Sequence, residues 1–249
     1  MSGFYENKTV VITGGVQSIG FAVTEKYLQK GARSVILADI DDKRGPVVVK
    51  DLNTKYGNGK AEFYKCYVTS DLDAVASKIF KNHDHVDVLI NNAGILNEYK
   101  LRKTVDINIT ALMEWLMKFF EHVRKDKGGK GGTMINLASI YGFRIDPFLP
   151  IYQASKYAMG FTKRFSHPYR YKKYVRVVAI CPGFTETMLT TDVKMSDNTK
   201  IQNDFEAFLK ERTEWQVVAD VAKAAVDVFE KADSGTAWLI EGAKPIVSV

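Results

Sequence analysis

Two hydrophobic patterns alternate along the chain. Short runs of consecutive apolar residues, such as TVVIT and VRVVAICP, indicate buried strands. Between these runs, apolar residues recur at every third or fourth position, as on one face of an amphipathic helix. The first pattern predicts strands at residues 8–13, 34–39, 61–68, 86–91, 175–182 and 235–242, and another within GGTMINLAS; the second predicts helices at 18–31, 43–56, 71–82, 103–126, 151–171 and 217–231.

Strands that are separated by helix-sized segments predict a parallel sheet with helices on both faces. Right-handed crossovers then produce a doubly wound α/β fold, here with a sheet of about seven strands. No linker, repeat or low-complexity tract interrupts the alternation. We therefore predict a single domain over residues 1–249.

Composition and charge narrow the class of protein. The 249 residues are 46% hydrophobic and carry a net charge of +6. The two cysteines, Cys66 and Cys181, lie in apolar runs and predict buried free thiols in a reducing compartment. The N-terminus lacks the pattern of a signal peptide, and no apolar run is long enough for a membrane span. We expect a cytoplasmic protein without a membrane span.

The first strand leads into the turn TGGVQSIG, which has the features of a phosphate-binding turn. The free N–H groups and the positive dipole end of the following helix favour a pyrophosphate. Gly14 and Gly20 fit the tight turn and the close helix–strand contact, while Gln17, Ser18 and Ile19 lie between them. The glycine pattern alone is weak, so an ordinary strand–helix turn remains an alternative.

Asp39 ends the second predicted strand, about 20 residues after Gly20, where an acidic residue binds the adenosine ribose in dinucleotide sites. Its carboxylate would accept hydrogen bonds from the 2′- and 3′-hydroxyls and repel a 2′-phosphate. Lys43 and Arg44 are near enough to attract such a phosphate. The acidic side chain predicts NAD rather than NADP.

Tyr152 and Lys156 are spaced to lie one turn apart on a helix. A free tyrosine titrates near 10, too high for a good base at neutral pH. An adjacent ammonium group and an oxidised nicotinamide would favour the phenolate and lower the pKa. Tyr152 could then take the proton of an alcohol while hydride leaves its carbon, and Ser139 could donate to the substrate oxygen. A Tyr–Lys pair taken alone is common by chance.

The order and spacing of several motifs are more specific than any one of them. TGxxxxIG, NNAG at 91–94, Ser139, and Tyr152 with Lys156 follow one another along the chain. This arrangement resembles the short-chain dehydrogenase/reductase family over nearly the whole sequence. VDVLINNAGIL, HPY, ICPGFTETML and GTAWLIEGAKP are most similar to its insect alcohol dehydrogenase-like and NAD-dependent 15-hydroxyprostaglandin dehydrogenase-like branch.

The resemblance implies a Rossmann-type fold, NAD as cofactor, and hydride transfer between an alcohol and a ketone. It implies that Asn91–Gly94 pack beside the adenosine and brace the sheet. Asn108 would hold a water leading to Lys156, and Lys156 would bond the nicotinamide ribose. The predicted catalytic residues are Asn108, Ser139, Tyr152 and Lys156; the predicted cofactor-binding residues are Gly14, Gln17, Ser18, Ile19, Gly20, Asp39, Tyr67, Val68, Asn92, Ala93, Gly94, Tyr152, Lys156, Pro182, Gly183 and Thr185.

Two residues depart from the family pattern on the cofactor side. Ser18 occupies the second glycine position of the turn, where its Cβ could crowd the phosphates or its hydroxyl could bond them or cap the helix. Tyr67 stands where members often carry an aspartate that bonds the adenine amino group, although its ring could lie against the adenine. We expect weaker NAD binding, by about 1–2 kcal/mol.

A dry pocket over the nicotinamide requires apolar walls. The residues around the catalytic motifs are mostly apolar or aromatic, and 189–214 lies where the family places a lid. They favour a lipophilic secondary alcohol or ketone, although ordinary core packing explains any one of them. The predicted substrate residues are Ser139, Ile140, Tyr141, Ile145, Phe148, Phe184 and Met188.

Two other functions deserve comparison. The basic, aromatic stretch 163–176 resembles a single-strand binder, but a solvated helix end explains it, and we expect no nucleic-acid partner. A non-enzymatic protein with impaired cofactor affinity would explain the two departures. The intact Asn108, Ser139, Tyr152 and Lys156 favour an enzyme instead. We expect no metal site.

The helix predicted at 103–126 carries more apolar residues than one buried face requires, notably in ALMEWLMKFFEHV. The family usually forms dimers or tetramers through its long helices. We therefore expect a homodimer or homotetramer.

Overall fold

The computed structural model describes residues 3–157, 175–191, 193, 195–212 and 214–249. Within them, eight strands form one sheet in the order β3-β2-β1-β4-β5-β6-β7-β8. The strands are β1 Thr9–Thr13, β2 Ser34–Asp39, β3 Ala61–Lys65, β4 Val88–Asn91, β5 Gly132–Leu137, β6 Val175–Pro182, β7 Ala237–Ile240 and β8 Val247–Ser248.

Neighbouring strands from β3 to β7 are parallel, and the short β8 runs antiparallel to β7. The strand order reverses between β1 and β4, because the chain first builds outward to β3 and then returns to the other side of β1. In a doubly wound sheet, a ligand crevice opens beyond the carboxyl ends of the strands at this point. The predicted α/β fold is confirmed, and β8 adds an edge strand beyond the seven predicted.

The helices alternate with the strands and cover both faces of the sheet. In the described ranges they are α1 Ser18–Gln29, α2 Arg44–Tyr56, α3 Leu72–Asn82, α4 Leu101–Val105, α5 Leu112–Val123, α6 Pro150–Tyr157, α7 Met188–Thr191, α8 Thr199–Lys210 and α9 Val218–Lys231. A π-helical segment, Asp106–Ala111, joins α4 to α5.

Apolar faces on the helices create a core on each side of the sheet. On one side, α1 packs against α9, with Tyr27 and Phe229 in contact at 5.7 Å between ring centroids. On the other side, α3 and α5 bury Ile79, Trp115 and Phe119 against the strands. The central strands are buried along their whole length because both faces are covered, which explains their continuous apolar runs.

Several predicted boundaries differ from the observed ones. The helix predicted at 103–126 begins at Leu101 and contains the π-helical segment, which hydrophobic periodicity cannot reveal. The third strand ends at Lys65 rather than at residue 68, because the chain turns there toward α3. Residues 158–171 of the predicted helix and most of the basic stretch 163–176 lie outside the described residues.

Cys66 and Cys181 are both buried, and they form no disulfide bond among the described residues. Burial raises the pKa of the Cys66 thiol to about 12. In the ranges described above, no helix combines the length and apolar character that crossing a membrane requires.

Candidate active site

A cavity of about 500 Å³ follows the carboxyl ends of the strands. It begins at the turn after β1 and ends among the loops after β5 and β6. Most of the predicted site residues line it, although they are distant in sequence. These are Gly14, Gln17, Ser18, Ile19, Asp39, Tyr67, Val68, Asn92, Ala93, Gly94, Ser139, Ile140, Tyr141, Tyr152, Lys156, Pro182, Gly183, Phe184, Thr185 and Met188.

The turn after β1 leaves no room for larger residues at its two outer glycines. Gly14 has a φ of +66°, and a Cβ there would lie 3.0 Å from the Asn92 amide nitrogen. A Cβ at Gly20 would collide with the Gly14 carbonyl oxygen. Gly20 does not line the cavity. It allows the close contact between α1 and the turn.

Ser18 adopts a φ of +54°, a left-handed conformation that glycine accepts more readily than serine. Its hydroxyl has no hydrogen-bond partner among the described residues, and α1 has no side-chain cap. The helix-cap role considered from the sequence is therefore not observed. Ser18 places a polar group and a strained backbone directly on the cavity wall.

The carboxylate of Asp39 is buried and held by two backbone donors. It accepts hydrogen bonds from the N–H groups of Val16 and Asp41, both at 3.1 Å. It is the one acidic side chain among the described residues that line the cavity. Arg44, which from the sequence could attract a 2′-phosphate, donates to the Gln17 side-chain oxygen at 3.5 Å.

The NNAG segment ties β4 to the turn after β1. The Asn92 amide donates to the carbonyls of Thr13 and Gly14 at 3.0 and 2.9 Å. The N–H groups of Asn92 and Ala93 donate to the Thr13 hydroxyl. Asn91 bonds Asn136 on β5 at 3.1 Å. The segment therefore connects three strands at the carboxyl edge of the sheet.

Tyr67 presents its ring at the end of the cavity beyond Asp39. It is 43% exposed, and the Lys65 ammonium lies 5.7 Å from its ring centroid. The Tyr67 N–H donates to the Asp71 carboxylate at 3.0 Å, which secures the backbone after β3. Position 67 therefore offers an aromatic ring where other family members often offer an aspartate carboxylate.

Ser139 and Tyr152 meet at the opposite end of the cavity. Ser139 follows β5, and its hydroxyl accepts the Tyr141 N–H at 3.2 Å. Burial raises the pKa of Tyr152 to about 12, and a hydrogen bond with Ser139 opposes this rise. The lowered pKa expected from the sequence is therefore not found in the protein alone, because desolvation of the phenolate dominates.

Lys156 is buried one turn after Tyr152 on α6. Its ammonium donates to the Leu137 carbonyl at 3.1 Å and lies 5.5 Å from the centroid of the Tyr152 ring. Burial lowers the pKa of Lys156 to about 8. The spacing predicted from the sequence thus brings the two side chains together, with the ammonium facing the end of β5.

Asn108 lies in the π-helical segment behind the cavity. Its side chain accepts the Ile95 N–H and donates to the Ile95 carbonyl, both at 2.9 Å, and also donates to Ser155 at 3.0 Å. A Cβ on Gly94 would lie 3.3 Å from the Asn108 side-chain oxygen and 3.7 Å from the Lys156 nitrogen. Asn108 thus reaches the neighbourhood of Lys156 with its amide group already bonded.

The end of β6 and the loop after it line the cavity with Pro182, Gly183 and Thr185. The buried Thr185 hydroxyl donates to the Gly183 carbonyl at 3.0 Å and accepts from the Gln216 amide at 3.2 Å. Gln216, which the sequence did not single out, also bonds the Ile240 carbonyl. The loop is therefore fastened to β7.

Two predicted substrate residues lie away from the cavity. Ile145 is 80% exposed, because the loop before α6 turns it outward. Phe148 packs instead against Phe205 and Phe208, with centroid distances of 5.3 and 5.1 Å. It supports the wall formed by α8 and does not line it.

Other apolar side chains complete the wall near Tyr152. Leu96 and Leu149 were missed by the sequence reasoning, although Leu96 follows NNAG directly. Leu189, Val193, Phe205 and Leu209 come from the segment predicted as a lid. The described residues contain no group of three or more His, Cys, Asp or Glu side chains suited to a metal ion.

Comparison with known proteins identifies the family. The model of the short chain dehydrogenase family matches residues 8–198. Alcohol dehydrogenase 1 of Ceratitis cosyra is 33% identical over 190 residues, which are 75% of this chain and 73% of that protein. The human NAD(+) 15-hydroxyprostaglandin dehydrogenase is 30% identical over 230 residues, 90% of this chain and 86% of that protein.

Solved structures show the same fold. Levodione reductase aligns with a TM-score of 0.79 at 22% identity, covering 96% of this chain and 97% of that one. NAD+-bound xylitol dehydrogenase aligns with a TM-score of 0.77 at 19% identity, covering 96% and 99%. The resemblance inferred from the motifs is confirmed: the chain belongs to the short-chain dehydrogenase family of oxidoreductases.

Proposed function

We propose that this protein is an NAD-dependent oxidoreductase that interconverts a lipophilic secondary alcohol and its ketone. The observation that carries the proposal is the position of Tyr152. Its phenol bonds Ser139, lies beside Lys156, and lines the same cavity as the buried Asp39 carboxylate. Relatives named as alcohol and hydroxyprostaglandin dehydrogenases support the same reaction class.

The residues at the β1 end of the cavity fit a dinucleotide. The Gly14 backbone and the N-terminus of α1 provide a phosphate-binding turn, and Asp39 is held in place to accept from a ribose diol. The buried anion favours NAD over NADP. When bound, the dinucleotide supplies the acceptor or donor of hydride.

The other groups handle the proton and the substrate oxygen. In oxidation, Tyr152 takes the proton of the alcohol as the hydride leaves its carbon; in reduction, Tyr152 returns a proton to the carbonyl oxygen. Ser139 donates to that oxygen and holds it next to the phenol. To accept the proton of the alcohol, Tyr152 must first lose its own proton and become a phenolate. The Lys156 ammonium stabilises this phenolate and offsets the cost of burying it.

The chemistry of the cavity wall favours a lipophilic substrate. Leu96, Ile140, Leu149 and Phe205 surround the region next to Tyr152. These four side chains offer apolar contacts, and Asp39, the one acidic side chain among the described residues that line the cavity, belongs to the cofactor end. A secondary alcohol with apolar substituents would bury them here while its oxygen reaches Ser139 and Tyr152.

Replacing Tyr152 by Phe tests the proposal, because it removes the proton-transfer group and keeps the ring. We expect turnover of a panel of lipophilic alcohols and ketones to fall by about 10²–10⁴-fold. NADH affinity, measured by fluorescence titration alongside NADPH, should stay unchanged. Tyr157→Phe is the matched control, since Tyr157 lies on the same helix and is 41% exposed.

Undiminished turnover in Tyr152→Phe would overturn the assignment. If wild type binds NADH but no panel member shows Tyr152-dependent turnover, a binding protein with the dehydrogenase fold becomes the better description. The strained Ser18 on the cofactor wall is the observation that favours this alternative.

A further inference from the structure

The helix that carries Tyr152 begins at an unusual junction. Leu149 precedes it with a φ of +59°, and Pro150 occupies its first position. Proline has no N–H, so the first donors that need acceptors belong to Ile151 and Tyr152. The acceptors for these donors come from a distant part of the chain.

Glu98 supplies both acceptors. One carboxylate oxygen accepts the Ile151 N–H at 2.9 Å, and the other accepts the Tyr152 N–H at 2.8 Å. Glu98 lies in the loop between β4 and α4 and is partly buried. A negative charge at this helix end also complements the helix dipole. The carboxylate therefore acts as a tertiary cap on α6.

The peptide carbonyl of Tyr152 is held as well. It accepts from the Ser155 hydroxyl at 2.7 Å, and that hydroxyl accepts from Asn108 at 3.0 Å. Asn108 in turn bonds both the N–H and the carbonyl of Ile95. The Tyr152 backbone is thus held on both sides, directly by Glu98 at its N–H and through Ser155 and Asn108 at its carbonyl.

The same loop continues directly from the segment that braces the phosphate turn. Asn92 bonds the carbonyls of Thr13 and Gly14, three residues before Ile95. We propose that Glu98 is a positioning residue that sets the Tyr152 phenol relative to the cofactor end of the cavity. This inference rests on the proposed role of Tyr152 in proton transfer.

Because Glu98 accepts with both carboxylate oxygens, variants of its side chain can separate a positioning role from a merely stabilising cap. Glu98→Gln keeps the size of the side chain, but one of its two terminal groups is an amide donor that faces an N–H. Glu98→Asp keeps the carboxylate on a shorter chain. Asp220→Ala is the matched control, since Asp220 accepts the Val217 N–H at the start of α9, away from the cavity.

We expect Glu98→Gln to lower kcat by about 10- to 100-fold, since a small misplacement of a reacting group has effects of this size. NADH affinity should remain within about twofold, because the cofactor contacts are unchanged. Hydrogen exchange of the amides of Ile151 and Tyr152 should accelerate. Glu98→Asp should recover part of kcat, and Asp220→Ala should retain full activity at a similar loss of melting temperature.

The inference is overturned if Glu98→Gln retains kcat, or if Asp220→Ala loses as much kcat as Glu98→Gln at a similar loss of melting temperature. Tyr152→Phe measured in the same series separates this failure from that of the proposed function. Turnover lost in Tyr152→Phe but kept in Glu98→Gln would refute the positioning role alone. Turnover kept in both would refute the proposed chemistry.

Discussion

At the scale of single residues, Ser18 carries a conformational cost at the proposed cofactor site. Its φ of +54° lies in the region that disfavours side chains with a Cβ by about 1–2 kcal/mol. The neighbouring turn glycine, Gly14, has a positive φ without that cost. The backbone of the phosphate turn is thus retained although one residue does not suit it.

Ser18→Gly should therefore release strain and remove a Cβ from the cavity wall. We expect NADH to bind about 5- to 30-fold more tightly in Ser18→Gly combined with Tyr67→Asp, which corresponds to the ~1–2 kcal/mol expected for the two departures. Ser18→Gly alone should gain up to about 1 kcal/mol in stability, because glycine's greater unfolded-state entropy offsets part of the released strain.

Ser18→Ala is the control, since it keeps the Cβ and the strain but lacks the hydroxyl. NADH titration and chemical unfolding of the variants measure the two effects. If the double variant binds NADH no better than wild type, the two residues do not weaken the cofactor site. Equal gains in Ser18→Ala and Ser18→Gly would assign the effect to the hydroxyl.

Lys156 shows a second residue-scale conflict, between its proposed role in catalysis and the stability of the fold. Its pKa is about 8 in the folded protein against an ordinary 10.5, because burial penalises the charged form. Below pH 8, Lys156 is protonated in both the folded and the unfolded state, and the folded state bears the full cost of burying the charged ammonium. Above pH 10.5 both are neutral. The stability of the wild type therefore rises between these two pH values.

Lys156→Met should stabilise the cofactor-free protein at pH 7. The shift corresponds to about 3 kcal/mol, from which the lost hydrogen bond to Leu137 removes about 1 kcal/mol. Urea unfolding should show a gain that shrinks from pH 8 toward 10.5. Lys223→Met, at an exposed position on α9, should show no such pH dependence. A constant gain would contradict the burial argument.

At the scale of elements, the helix from α4 to α5 both places Asn108 behind the cavity and packs against the sheet. Its π-helical turn, with bonds from i to i+5, inserts an extra residue beside Asn108 and turns that side chain toward Ile95. Beyond it, α5 buries one apolar face against the sheet. Met113 and Met117, one turn apart, remain 38% and 43% exposed on the opposite side.

This exposed methionine pair leads to a prediction about assembly. We propose that α5 pairs with α5 of a second copy, so wild type should be a dimer or tetramer by light scattering at micromolar concentration. Met113→Glu with Met117→Glu should shift the protein toward monomer, since charges would be buried between copies. Val47→Glu, at an exposed position on α2, should leave the mass unchanged. A wild-type monomer would contradict the proposal.

At the scale of the whole molecule, the sheet brings the two halves of the site together. The turn after β1, Asp39 at the end of β2 and the loop after β4 form one end of the cavity. Ser139 after β5, Tyr152 on α6 and the loop after β6 form the other. Parallel strands place all their carboxyl ends along one edge, so residues far apart in sequence meet there.

The sequence by itself determined the fold class and predicted most of the residues that line the cavity. Continuous apolar runs predicted the buried strands because both faces of the sheet are covered. Gly14 and Ser139 follow strands and Asp39 ends one, and a parallel sheet leaves little freedom in where such residues lie. Local pattern and topology together were sufficient for this part of the site.

Only the tertiary structure decided the features that depend on contacts between distant segments. The cap from Glu98 to α6 joins two loops that no local pattern connects. The outward turn of Ile145 and the packing of Phe148 on Phe205 depend on how the loop before α6 meets α8. The raised pKa of Tyr152 reflects burial rather than spacing. Periodicity describes a residue's neighbours along its own element, whereas desolvation, loop direction and tertiary caps are set by the segments that pack against it.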